Sequence, residues 1–220
     1  GSNDGPEVPD PENAMDLALI PRYAAVSGPC FGLLPQTCRL QSRTIYVNGS
    51  GHQIESVTAY GKYFEWDMDN GDAPSGQNGT SLLAIARYAQ GPCLGQPGQC
   101  VFDSRTVALI NGVLTESVTA YNKYWNWNAA TGALISSGWL SAVPRYAQGP
   151  CQGVPMYGNC VFDSREIYDV PNQNGLQVEW ITVGDRYWKY NLATGALLDS
   201  HLLISIEEYT SPGGPCALEV

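Results

Sequence analysis

Apolar and polar residues alternate along this chain in short runs, and Gly, Asn, Asp and Pro break the runs at short intervals. That pattern predicts strands joined by tight turns rather than helices. "RTVALI" before Asn111-Gly112 and "VLTESVTAY" after it predict a hairpin, because both central positions of a type I′ turn need φ > 0 and Asn-Gly tolerates this best. A second turn is expected near Asn122-Lys123, ahead of "YWNWN", and a third at "AATG", ahead of "ALISSGWL". Four antiparallel strands in a meander result. In "KYWNWN" the alternation puts Trp125 and Trp127 on one face, and Tyr124 and Asn126 on the other.

The unit recurs. "RYAQGPCLGQPGQCVFDSR" from Arg87 returns from Arg145 as "RYAQGPCQGVPMYGNCVFDSR". Tyr23, Tyr88, Tyr146 and Tyr209 head successive copies, and "GPC" follows each, ending at Cys30, Cys93, Cys151 and Cys216. Asn-Gly follows at Asn48, Asn111 and Asn174. Phe64 and Trp66 in copy one, and Trp188 and Tyr190 in copy three, hold the places of Trp125 and Trp127. Large aromatics at equivalent places in every copy predict one core; the alternative is an aromatic ligand platform. Copy one departs at "DMDNGDAPSGQNGT", where a longer, polar turn is expected. "LALIPRY" and "LLISIEEY" read as the same strand written at both ends.

Seven cysteines fall into three close pairs and a remainder. The spacing predicts disulfides Cys30–Cys38, Cys93–Cys100 and Cys151–Cys160. It is too wide for the usual Cys-x2-4-Cys zinc pattern, and His52 and His201 are the only histidines. No metal or cofactor is expected. Disulfides imply an oxidising, extracytoplasmic compartment: periplasm, cell surface or medium. Cys216 has no partner in the pattern.

Charge refines the picture. The net charge of −10 argues against nucleic acid as a partner. Residues 1–16 hold five acids, three prolines and no basic residue, and read as a solvated tether. No stretch approaches the ~20 apolar residues of a membrane span. Within the copies the noticeable charges recur: Gln41, Arg43, Glu55 and Lys62; Asp103, Arg105, Glu116 and Lys123; Asp163, Arg165, Glu179 and Arg186. A recurring set suggests a network bracing the disulfide loop against the sheet. In the functional reading, Arg43, Arg105 and Arg165 offer guanidinium forks to a carboxylate or sulfate, and Tyr124, Asn126 and Tyr187 join them as candidate ligand-binding residues. An active site is normally asymmetric, and asymmetry concentrates in copy one, in His52 and in Asp67, Asp69 and Asp72. Those acids echo a calcium loop's alternation but stand where the other copies have an ordinary turn. No nucleophile motif or phosphate loop accompanies them. Asn48-Gly-Ser and Asn78-Gly-Thr match the glycosylation sequon and read as turns.

The stretch "YxKYWxW" followed by "NxATGAL" resembles blades of β-propellers of the quinoprotein or hemopexin type, over about twenty residues per copy. The N-terminal tail resembles that of a bacterial surface lipoprotein whose lipidated Cys has been removed, which would make a lipid anchor the one membrane link. The expected fold is all-β: three tandem four-stranded antiparallel repeats, near 21–85, 86–143 and 144–206, in a pseudo-threefold propeller-like body, with a β-trefoil as the alternative and a fourth copy starting at 207–220. The expected function is a non-catalytic binding or adhesion module recognising glycan or protein. The alternatives are an exported hydrolase with its site in copy one, and a structural or protease-inhibitor-like surface protein.

Overall fold

The computed structural model describes residues 17–206 except 35, 75, 77, 97, 156 and 157. The acidic tether, the start of the fourth copy and Cys216 lie outside the described residues.

The fold is all-β. Each copy forms its own four-stranded antiparallel meander, and the described residues contain no closed barrel. Sheet 1 comprises β1 (Ser42–Val47), β2 (Gln53–Ala59), β3 (Lys62–Asp67) and β4 (Thr80–Ser81). Sheet 2 comprises β5 (Ser104–Ile110), β6 (Val113–Ala120), β7 (Lys123–Asn128) and β8 (Leu134–Trp139). Sheet 3 comprises β9 (Ser164–Asp169), β10 (Gln177–Val183), β11 (Arg186–Asn191) and β12 (Leu197–Leu202). β1 packs beside β5 and β5 beside β9, while β9 and β1 show no matching packing. The sheets follow one another face to face, as propeller blades do.

The turns differ from the Asn-Gly expectation. Only copy two carries it unaltered, with Asn111 at φ 49° and Gly112 at φ 78°. In copy one the loop is closed by Asn48 N–H to the His52 carbonyl, and in copy three by Val170 N–H to the Leu176 carbonyl. The second turn lies one residue earlier than expected, on Tyr60-Gly61 and Tyr121-Asn122, all at positive φ. A tyrosine rarely adopts that conformation. Tyr60 is held there by its hydroxyl, which accepts from Arg39 N–H at 2.8 Å at the exit of the first disulfide loop. The polar turn of copy one starts like its counterparts: Asp67, Asn128 and Asn191 each cap it by accepting a backbone N–H two residues on. The extra residues follow that cap and leave β4 only two residues long.

"LALIPRY" is not a strand. Leu17–Leu19 is a 3-10 turn and Pro21–Ala24 a single helical turn, and Leu203–Ser205 is again 3-10. Pro21 suits the first helical position, where its missing N–H goes unused. The equivalent leucines leave one sheet and plug the next: Leu82 N–H donates to the Gly61 carbonyl and Leu140 N–H to that of Asn122. Both side chains are fully buried, in the cores of sheets 2 and 3 respectively.

Those cores are built as the alternation predicted. Phe64 and Trp66 pack with Tyr23 and the Cys30–Cys38 pair; Trp127 packs with Tyr88, Phe102 and Cys93–Cys100; Tyr190 packs with Tyr146, Phe162 and Cys151–Cys160. The head tyrosines sit edge-on to the following aromatics, Tyr88 4.9 Å from Phe102 and Tyr146 5.1 Å from Phe162. The glycine of "GPC" makes this approach feasible: a Cβ on Gly28 would lie 2.3 Å from the Tyr23 carbonyl oxygen, and one on Gly149 would lie 2.2 Å from the Tyr190 hydroxyl.

All three expected disulfides are present, with Cα–Cα distances of 5.4 Å. Replacing Cys93 and Cys100 together by Ser should lower unfolding free energy by about 2.5 kcal/mol through the freed loop entropy, measured by urea titration against the parent protein.

Candidate functional site

A buried ionic unit recurs in each copy and shapes the surfaces between sheets. In copy two, Glu116 accepts from Arg87 Nε at 2.7 Å, from Arg105 Nε at 2.8 Å and from the Tyr88 hydroxyl at 2.6 Å. In copy three Glu179 accepts from Arg145, Arg165 and Tyr146, and in copy one Glu55 accepts from Arg22, Arg43 and Tyr23. Burial by itself would raise the Glu116 carboxyl, but the charges of Arg105 and Arg87 and their hydrogen bonds hold it down at about 2. Glu55 and Glu179 are lowered in the same balance.

The bracing network of the sequence reading therefore exists with different members. The second cation is the arginine before each head tyrosine, Arg22, Arg87 and Arg145, and not Lys62, Lys123 or Arg186. Lys123 lies over the Trp139 ring at 4.3 Å. The aspartates are also elsewhere. Asp103 precedes β5, so strand alternation does not carry it to the face of Arg105; its Oδ2 is buried without a hydrogen-bond partner. Burial, and then the charge of Asp163, push Asp103 up to about 6. Asp163 Oδ2 accepts from Gly184 N–H.

Arg105 and Arg165 also bolt the sheets together. Arg105 Nη1 donates to Ser56 Oγ of sheet 1 at 2.7 Å, and Arg165 Nη1 to Ser117 Oγ of sheet 2 at 2.6 Å. Both arginines are buried. Beside the reading of them as forks for an external anion, the Arg105 and Arg165 guanidiniums serve internal carboxylates and serines. Arg43 is the more open one, its side chain 37% exposed beside Glu55.

The six candidate ligand residues do not form one site. Tyr124, Asn126 and Arg165 come together in a cleft of about 210 Å³ between sheets 2 and 3, along with Ser117, Ser136 and Arg145. Its floor is a chain of hydrogen bonds: Arg165 donates to Ser117, Ser117 to Asn126 Oδ1, and Asn126 Nδ2 to Ser136 Oγ. Arg105 lies at the equivalent place between sheets 1 and 2, where buried Tyr63 covers it at 5.2 Å. Tyr187 is on the far face of sheet 3, packed on Trp180 and donating to Asp199 Oδ2 at 2.7 Å.

Two exchanges open the cleft. Tyr63 pairs across the sheet with Thr80, whereas Tyr124 pairs with Gly138. A Cβ on Gly138 would lie 3.2 Å from the Tyr124 ring, so the ring lies over bare backbone there. Glu65 holds the place that Asn126 takes one sheet later. The sequence reading singled out Tyr124, Asn126 and Arg165 but missed Arg145, Ser117 and Ser136. Arg145 was legible, since an arginine precedes the head tyrosine in all three complete copies.

A second cluster lies in copy one. His52 Nδ1 is 2.5 Å from Asp67 Oδ2, and donor atoms of His52, Asp67 and Asp69 lie within 4.8 Å of one another. The hydrogen bond to Asp67 and its charge raise His52, and the same contact lowers Asp67. These are the described residues that could hold a cation. Asp72, grouped with them on the sequence pattern, is not among them.

No protein-family model matches the chain, and no characterised protein matches it by sequence. Solved structures do. A 2S albumin seed protein from Dolichos superposes with a TM-score of 0.54 at 11% identity, over 86% of this chain and 75% of that one. A plant albumin from Cicer arietinum showing hemagglutination, and hemopexin fold protein CP4 from cow pea, each give 0.51 at 10% identity, over 80% of this chain and 73% of theirs. The likeness is one of fold.

Glu116→Gln should destabilise by about 3–5 kcal/mol at neutral pH, because it leaves two guanidiniums without their carboxylate. Glu116 is held below its ordinary 4.5, so its contribution is complete above that value and fades as pH falls toward about 2. Denaturant titrations of both proteins should therefore converge in acid. Asp103 has the opposite sign: its raised folded value favours the folded state below about 3.8 and penalises it once pH exceeds about 6. Asp103→Asn should raise the melting temperature at pH 7–8 and leave it unchanged near pH 3.5, as read by calorimetry across that range.

Proposed function

We propose that this protein is an extracytoplasmic, non-catalytic recognition module that holds a glycan unit in the cleft between sheets 2 and 3. The observation that carries the reading is the asymmetry of that cleft in an otherwise repeated scaffold. Its floor consists of hydroxyl, amide and guanidinium groups ordered by their mutual hydrogen bonds, and Tyr124 offers a ring beside them. A sugar presents the matching surface, with hydroxyls around its rim and an apolar face. At about 210 Å³ the space suits one small polar ring, below the roughly 300–1,000 Å³ of pockets for larger ligands. Three disulfides support a life in oxidising surroundings, at a cell surface, in the periplasm or in the medium. The hemagglutination shown by the Cicer arietinum albumin agrees with a binding role on this fold.

A second reading, an exported hydrolase, has one observation in its favour: Asp67 orients His52 and strengthens it as a base. His52→Ala would abolish such an activity and leave glycan binding intact.

On a glycan array the native protein should give discrete positive spots, and Asn126→Ala should weaken them at least tenfold. An array blank for the native protein, or one that Asn126→Ala leaves unchanged, removes the cleft from this role.

A further inference from the structure

The two inter-sheet junctions are built to one plan but differ in charge. Between sheets 1 and 2, half-buried Arg87 and buried Arg105 share the junction with two carboxylates. One is Glu116. The other is Glu65, buried on β3, which accepts from the Tyr63 hydroxyl at 2.7 Å; the ring of that tyrosine lies against the Arg105 guanidinium. Glu116 pairs with both arginines directly, and Glu65 adds a second negative group that reaches Arg105 through Tyr63. Between sheets 2 and 3, Glu179 is the carboxylate that pairs with Arg145 and Arg165 among the described residues, and Asn126 stands where Glu65 stood.

Register makes the substitution exact in position. Ser56 accepts from Arg105 and pairs across the strands with Glu65; Ser117 accepts from Arg165 and pairs with Asn126. The missing carboxylate thus belongs one cross-strand step from the arginine's own serine. The cleft occupies that side, and Arg145 and Arg165 are the charged residues that line it. Asp103 and Asp163 approach each other across the same pair of sheets, but neither lines the cleft. A site with one surplus positive charge favours an anion, and a guanidinium favours a carboxylate.

We propose that this cleft selects an acidic sugar, whose carboxylate takes between sheets 2 and 3 the place that Glu65 takes between sheets 1 and 2. The proposal rests on the saccharide reading above and adds the charge of the ligand. Asn126, through the carboxylate it does not supply, is the specificity-determining residue. Gly138 makes room by letting the Tyr124 ring lie over it.

The test is calorimetric titration of the intact protein with D-glucuronate, its methyl ester, D-glucose and acetate. Glucuronate should bind at least tenfold tighter than the ester or glucose, with an affinity that falls as salt is added. Asn126→Glu should abolish that binding and raise the melting temperature by supplying the counter-charge from within. The comparison of glucuronate with its ester needs only the native protein, so it stands whatever the variant's folding. Equal binding of glucuronate, ester and glucose overturns the anion site and keeps the saccharide reading. Acetate as tight as glucuronate keeps the anion site and overturns the saccharide reading. Failure of glucuronate to bind at all overturns the proposal, as does glucuronate binding that Asn126→Glu leaves intact.

Discussion

A carboxylate without water must have partners, and the three glutamates at the centre of the copies set most of the architecture around them. Each of Glu55, Glu116 and Glu179 takes two guanidiniums and a tyrosine hydroxyl. One guanidinium comes from the sheet's own first strand and the other, with the tyrosine, from the helical turn that enters the copy. Satisfying one acid therefore fixes the docking angle of the entering segment and the depth of the tyrosine. The tyrosine in turn sets the aromatic core and the glycine that must pass beside it. Breaking such a set is costly because it strands charge in a medium that cannot screen it.

The second consequence lies between sheets. The strand arginine has a hydrogen left over after serving its glutamate, and it spends this on a serine of the preceding sheet. Sheets separated by no shared ladder are thereby held in register through side chains. Sheet 3 ends the series differently: Trp180 replaces the serine, and an aromatic cluster with Tyr187 covers its far face. The scaffold supplies identical junctions, and chemistry enters where the copies differ. At the Glu65 position the three sheets carry Glu, Asn and Lys; opposite the β3-type tyrosine they carry Thr, Gly and His.

Much of the fold was legible because strand alternation is a local signal. Trp125, Trp127, Phe64 and Trp66 lay on the face that alternation assigned, and the cysteine pairs closed within their own copies. Local signals failed where conformation depended on contacts from elsewhere. The segment at Leu17–Ala24 has an apolar run that reads as a strand, yet its leucine plugs a core and its backbone folds into turns. Asn-Gly at 48 and 174 promised the turn that only Asn111-Gly112 makes, because loop length and closing hydrogen bonds differ among the copies. For the candidate site, the structure brings Tyr124, Asn126 and Arg165 to one cleft and places Arg43, Arg105 and Tyr187 elsewhere. Equivalence in sequence suggested equivalence in role, and burial by the neighbouring sheet removed it.

The order of residues alone determined the repeat, the meander within each copy, the disulfide pairing and the recurrence of Glu with Arg, since all of these are short-range or periodic features. Only the tertiary structure decided which arginine meets which carboxylate, which junction closes and which stays open, and where a charge is left over. Those outcomes depend on which side chain of one sheet faces which side chain of the next, at separations in sequence of about fifty residues, where the repeat marks equivalent positions but not which of them meet.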